Sequence, residues 1–101
     1  MKTIIKLASI SAILVFSMNA QAGDAAAGKA KSGACTSCHG MNGKSTNPDY
    51  PNLAGQKKNY LVKSIKDYKN GNRKSSLMSS MVSSLTDADI DDLATFYSGV
   101  K

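Results

Sequence analysis

A chain of 101 residues with 42% hydrophobic content and a formal charge of +6 makes one domain and leaves no room for a linker or a second module. All seven acidic residues are Asp, set against 13 Lys and Arg, and the chain carries two cysteines and one histidine. Internal repeats and phosphate-cradling glycine loops are missing, and a zinc site built from four Cys and His ligands is excluded by number.

Residues 1–22 read as a secretory signal cleaved before Gly23. Lys2 and Lys6 give the positive start, Leu7 to Phe16 a mostly apolar run, and Ala20-Gln21-Ala22 the small-x-small cut site. An uncleaved anchor is the competing reading, but the run is shorter than the roughly 20 residues a spanning helix needs. The expected mature domain is residues 23–101, with a formal charge of +4 once Lys2 and Lys6 are removed. No second long apolar run follows, so we expect a soluble periplasmic protein without a membrane span. A domain this short buries little apolar surface and needs a metal, disulfides or a cofactor as a staple.

Asp24 to Gly33 predicts a first helix, with Asp24 as N-cap and Ala25, Ala26, Ala27 and Ala30 as strong formers. Gly28 inside it is a cost unless something packs closely there. Cys35-Thr36-Ser37-Cys38-His39 follows directly and contains both cysteines and the only histidine. This C-x-x-C-H spacing predicts covalent attachment of one haem c. Thiols three positions apart lie about one helical turn apart, so both can add across the vinyl groups of one porphyrin edge. His39 is then held beneath the iron as an axial ligand.

Rival uses of the motif are weaker. A thioredoxin-like dithiol belongs beside a βαβ pattern, and the chain has no strand runs. A structural disulfide is the plain alternative for two cysteines in an exported chain, and the colour of the protein discriminates.

Gly40 to Pro51 reads as a loop, rich in Gly, Asn, Asp and Pro. One of its carbonyls is expected to take a hydrogen bond from the second nitrogen of His39 and fix the ring. A second helix is predicted from Gln56 to Asn70, closed by Gly71. Tyr60, Leu61, Ile65 and Tyr68 fall on one side with Val62 beside them; Lys57, Lys58, Lys63, Lys66 and Lys69 take the rest, as a solvated face or a docking surface.

Gly71 to Ser84 is Ser-rich and reads as a loop. Its methionines Met78 and Met81 are either ordinary gap-fillers or a source of the sixth iron ligand opposite His39. Met41, two residues past His39, is badly placed to reach the far face. Thr86 then caps a last helix, with Asp89 completing a near capping box. The run Asp87, Asp89, Asp91 and Asp92 suits the positive helix start. Ile90, Leu93, Ala94, Phe96 and Tyr97 form the buried side, and Gly99 ends the helix.

Taken together, these segments resemble the small bacterial class I cytochromes c, the short monohaem type also seen as each half of some dihaem cytochromes. The likeness covers essentially all of the expected mature chain. Its carriers are Gly28, Cys35-Thr36-Ser37-Cys38-His39-Gly40, Pro51-Asn52-Leu53-Ala54-Gly55-Gln56, Tyr60, Met78-Ser79-Ser80-Met81, and Leu85-Thr86-Asp87 leading to Leu93-Ala94-Thr95-Phe96-Tyr97. The resemblance implies an all-α fold of three main helices plus a short one around the haem. It implies that the first and last helices cross with Gly28 against Phe96. It also implies Met78, seven residues before Leu85, as the second axial ligand, with Met81 as the alternative.

The function expected on this basis is single-electron transfer between redox proteins, with no catalytic residues. Two further classes stay open: a haem enzyme or small-ligand sensor with an open iron, and a bound subunit of a larger oxidase or dehydrogenase. Partners with acidic docking surfaces fit the basic charge, export argues against nucleic acid, and a monomer or weak dimer is expected.

Overall fold

The computed structural model describes residues 23–101, so the expected signal segment Met1–Ala22 and its cleavage lie outside the described residues. Five helices follow one another: α1 (Ala25–Lys31), α2 (Gly33–His39), α3 (Lys58–Asn70), α4 (Ser76–Val82) and α5 (Asp87–Ser98), with a 3-10 turn at Met41–Gly43. No strand occurs among the described residues. The fold is all-α, as expected, with two refinements.

The first is a break in the leading helix. Asp24 caps α1, its carboxylate accepting from the N–H groups of Ala26 at 2.9 Å and Ala27 at 3.2 Å. At Ser32 the ladder tightens: its N–H and its hydroxyl both donate to the Lys29 carbonyl, at 3.2 and 2.7 Å. A Ser-Gly pair is a common kink point, because glycine resists bending least and serine satisfies a freed carbonyl. The chain resumes at Gly33 as α2, which contains the whole C-x-x-C-H motif.

The second refinement is α4, in the segment whose composition pointed to a loop. Ser75 caps it by accepting from the Met78 N–H at 3.2 Å. Ser79 donates its hydroxyl to the Tyr68 carbonyl of α3 at 2.9 Å, and Val82 is buried. Tertiary contacts outweigh the poor helix propensity of serine here.

The core lies where α1 and α3 meet α5. Leu61, Leu93, Ala94 and Tyr97 form its centre, with Cys35, Leu53, Val62, Leu85 and Phe96 packed around them. Ile90 and Leu93 are fully buried, each contributing roughly 1.5–3 kcal/mol by the usual burial scale. Gly28 makes the α1–α5 crossing possible. A Cβ there would sit 2.0 Å from the Asp92 carbonyl oxygen and 2.9 Å from the Phe96 Cβ. Gly28 therefore packs on Phe96, as the resemblance implied, and the cost of a glycine in a helix is offset by close approach.

Polar contacts lock that crossing at both ends of α1. Asp92 accepts from the Asp24 N–H at 2.8 Å and from the Lys31 ammonium at 2.7 Å. Lys31 also meets Asp89 at 2.7 Å. The capping box of α5 is present, with Thr86 and Asp89 exchanging side-chain bonds at 3.0 and 3.1 Å. The acidic run thus caps α5 and ties it to α1, and through Lys58–Asp91 at 3.5 Å to α3. One expectation for α3 changes: Leu61 is its buried residue, whereas Tyr60 is 51% exposed.

Candidate haem attachment site

The site is built at the C-terminal end of α2. Cys35 and Cys38 lie one turn apart on this helix and are free, half-buried thiols. Cys35 packs against the core cluster, and burial pushes its thiol above the ordinary value. His39 is the last residue of α2 and is buried. Gly40 then turns the chain sharply at φ +82°, where a Cβ would strike the Lys44 carbonyl oxygen at 2.0 Å. A residue with a side chain at that position would push the following loop off the histidine.

The loop delivers what the histidine needs. His39 Nδ1 lies 2.8 Å from the Pro51 carbonyl oxygen. A carbonyl can only accept, so Nδ1 carries the hydrogen and, in the neutral ring, Nε2 carries the lone pair. That hydrogen bond selects the tautomer and orients the ring for ligation through Nε2. Tyr50 supports the ring from the side, with centroids 6.3 Å apart in an edge-on arrangement.

The loop itself is pinned at three points. Leu53 and Ala54 donate to the Gly43 carbonyl at 2.8 and 3.1 Å, Ser45 N–H donates to the Asn52 side chain at 2.7 Å, and Gly55 N–H donates to the Tyr97 carbonyl of α5 at 2.9 Å. The position of Pro51 is therefore set from both sides. Sequence reasoning gave the loop and the expected bond but could not single out Pro51, because the acceptor is a backbone atom that carries no side-chain signature.

The methionines separate by environment. Met78 is half-buried on α4, with its backbone N–H held by the Ser75 cap. Met81 is 40% exposed and Met41 71% exposed. Met78 and Met81 share the short helix α4, while Met41 stays beside His39 on the 3-10 turn.

This set of residues fits a covalently held haem on the chemistry of its donors. Two thiols one turn apart can form two thioethers, the adjacent imidazole is locked in the tautomer that ligates, and a thioether side chain is available from a separate helix. Cys35, Leu53, Val62, Leu85 and Phe96 all pack against the buried cluster of Leu61, Leu93, Ala94 and Tyr97.

An all-helical domain whose first helix crosses the last and leads straight into a C-x-x-C-H helix defines a haem-binding class of protein. Comparison with known proteins makes the class specific: the family model described as Cytochrome c matches residues 20–101. The chain belongs to the cytochrome c family, and its cofactor is a covalently attached haem c.

Among its relatives is cytochrome c-554(548) of Halomonas halodenitrificans, 51% identical over 80 residues that cover 76% of this chain and 96% of that protein. Cytochrome c4 of Pseudomonas aeruginosa is 44% identical over 80 residues, 79% of this chain but 40% of the relative. The crystal structure of reduced recombinant cytochrome c4 from Pseudomonas stutzeri superposes with a TM-score of 0.77 at 40% identity, covering 79% of this chain and 47% of that one. The chain thus spans nearly all of the c-554(548) relative and less than half the length of the c4 proteins.

Proposed function

We propose that this protein is an exported carrier that shuttles single electrons between redox proteins, with no substrate chemistry of its own. In this reading residues 1–22 direct export and are removed, and residues 23–101 form the working domain in the periplasm. Among the described residues no helix is long and apolar enough to cross a membrane.

Cys35 and Cys38 would hold the haem through two thioethers, and His39 Nε2 and the Met78 sulfur, with Met81 as the alternative to Met78, would ligate its iron. The bound haem supplies a one-electron iron couple. The chain's own residues do the rest. The Pro51 carbonyl keeps His39 in the tautomer whose Nε2 lone pair is free to ligate. The Ser75 cap and the Ser79–Tyr68 bond hold the Met78 segment on α3. With both iron ligands supplied by this chain, no position would be left for oxygen or peroxide, which is what distinguishes a carrier from a haem enzyme.

The observation that carries this reading is the His39–Pro51 bond at 2.8 Å beside the paired thiols. The half-burial of Met78, against the exposure of Met81, supports the choice of ligand. For docking, the lysines of α3 favour an acidic partner surface. Lys58, Lys63 and Lys66 are in ion pairs, but exposed pairs are weak and these cations can exchange partners in an encounter. Such contacts are small and short-lived, and their association rates fall with salt.

The test is a set of oxidised and reduced spectra of the wild type, Met78→Ala and Met81→Ala. The wild type and Met81→Ala should show the weak far-red band of ferric thioether ligation, and Met78→Ala should lose it. A high-spin ferric wild type would instead establish the open-iron reading.

A further inference from the structure

The buried hydroxyl of Tyr97 has no role in the site as described so far. Tyr97 is 2% exposed. Its hydroxyl oxygen is out of contact with solvent and has no hydrogen-bond partner at normal distance and angle. A buried donor left unmade costs roughly 1–3 kcal/mol, so an orphan at the centre of so small a core needs a reason.

Two polar groups lie near it. One is the thiol of Cys35, which packs on the same core cluster. The other is the hydroxyl of Ser32, which is buried and already donates its own hydrogen to the Lys29 carbonyl at 2.7 Å. Burial holds the Tyr97 phenol far above its ordinary range, and the neighbouring Cys35 pushes in the same direction. The phenol therefore remains a donor at any working pH.

Tyr97 is also the point where the site and the fold meet. Its carbonyl accepts from Gly55 N–H at 2.9 Å, which anchors the loop carrying Pro51. Its ring edge lies where a Cβ on Gly43 would be, 2.7 Å from Cδ1. The ring is thus held by the loop on one side and by the α5 backbone on the other.

We propose that the Tyr97 hydroxyl donates a hydrogen bond to the sulfur of Cys35, and that it keeps this bond when the sulfur is a thioether to the haem. Tyr97 is then a positioning and tuning residue. A thioether sulfur is a weak acceptor, so the bond adds modest stability. A donor aimed at a sulfur on the porphyrin edge also draws electron density away from the macrocycle. That favours the electron-rich ferrous form and raises the reduction potential, since hydrogen bonding around the cofactor is one of the protein's levers on potential. The inference rests on the haem-attachment reading.

The experiment uses mature haem-loaded protein with Tyr97→Phe, Ser32→Ala and Tyr60→Phe, the last being an exposed tyrosine as control. Tyr97→Phe keeps the ring and its packing and removes one oxygen. We expect it to lower the reduction potential and to shift the unfolding equilibrium toward the unfolded state by about fivefold, within the usual worth of one hydrogen bond. Ser32→Ala and Tyr60→Phe should leave the potential where it is. In the wild type, proton NMR should find a slowly exchanging Tyr97 hydroxyl close to the Cys35 β protons.

An unchanged potential in Tyr97→Phe overturns the proposal, as does a gain in stability, which would mark the hydroxyl as an unpaired passenger. The same drop in potential from Ser32→Ala assigns the acceptor to serine and also overturns it. Should Tyr97→Phe fail to accumulate, a hydroxyl resonance remote from Cys35 in the wild type decides against it. A colourless wild type would instead sink the haem reading itself, a result no red protein with an unchanged potential can mimic.

Discussion

Helix α1 crosses α5 through a backbone contact at Gly28, with Ile90, Leu93 and Ala94 buried beneath and Asp92 holding both ends of α1. Helix α4 rests on α3 by other means: the Ser79–Tyr68 bond, the buried Val82, and the Lys69 ammonium on the Leu85 carbonyl. It leaves Leu77 49% and Met81 40% exposed. The crossing is a rigid frame that the polypeptide specifies by shape. The α4 segment is a short helix steered by a few directional bonds. A frame tolerates little change in volume, whereas the arm depends on the Ser75 cap, the Ser79–Tyr68 bond and the buried Val82. The division suits the proposed carrier, in which the arm would bring a second iron ligand to the haem.

The largest effect should come from breaking the frame. Gly28→Val places a branched side chain where even a Cβ would lie 2.0 Å from the Asp92 carbonyl oxygen. The obstacle is backbone on α5, which cannot rotate away, so the helices must separate. Overpacking costs ~1–3 kcal/mol where side chains can yield, and we expect about 3 kcal/mol or more here. Against a total of ~5 kcal/mol for a small domain, the variant should fail to accumulate as haem protein, or unfold at much lower denaturant. A wild-type unfolding midpoint would show that α1 does not sit on α5 in this way.

Next comes the arm. Met78→Ala should cost about 2 kcal/mol, at the lower end for truncating a methionine, because Met78 is only half-buried. Met81→Ala, on an exposed position of the same helix, should stay within about 0.5 kcal/mol. Denaturant titration of the reduced protein measures both. Equal losses would erase the distinction between the two methionines.

A smaller effect tests the frame without touching its packing. Thr86→Ala removes the side chain that accepts from Asp89 N–H at 3.1 Å. Loss of such a cap costs about 1 kcal/mol, seen as a lower thermal midpoint with an unchanged haem spectrum. A shifted spectrum would mean that the start of α5 communicates with the iron, contrary to the separation of frame and arm.

The same division explains what could be read in advance. The C-x-x-C-H motif, the Asp24 and Thr86 caps and the glycine stops of α3 and α5 are local signals, and the structure follows them. The pairing of Gly28 with Phe96 is a contact across 68 residues; periodicity alone says only that a glycine in a helix needs a reason. Ser75 before Leu77, Met78, Met81 and Val82 was a helix signal, an N-cap followed by apolar residues at helical spacing, but serine-rich composition masked it. The kink at Ser32 and the choice of Pro51 depend on backbone groups, which have no letter in the sequence. Periodicity places Tyr97 in the core, where it is buried, while its unpaired buried hydroxyl is visible only in the fold.

The gentlest test of the frame is pH. Lys31 sits 2.7 Å from both Asp89 and Asp92. Its ammonium, helped by the Thr86 N–H, holds the Asp89 carboxyl down to about 2, and Lys31 likewise depresses Asp92. An unfolded aspartate titrates near ~3.9. A carboxyl with a lowered folded value binds fewer protons folded than unfolded, so it stabilises the fold above ~4 and loses that contribution as pH falls through about 2. These carboxylates face solvent, so the effect is modest and shrinks with added salt. Thermal melts between pH 5 and pH 2 should show the midpoint of the wild type falling more steeply than that of Asp89→Asn. Asparagine can still accept from the Thr86 N–H, so the variant keeps that half of the capping box and loses only the charge. Parallel curves would mean that Lys31 does not hold Asp89 in solution, and that the α1–α5 crossing is secured by its glycine contact and apolar packing alone.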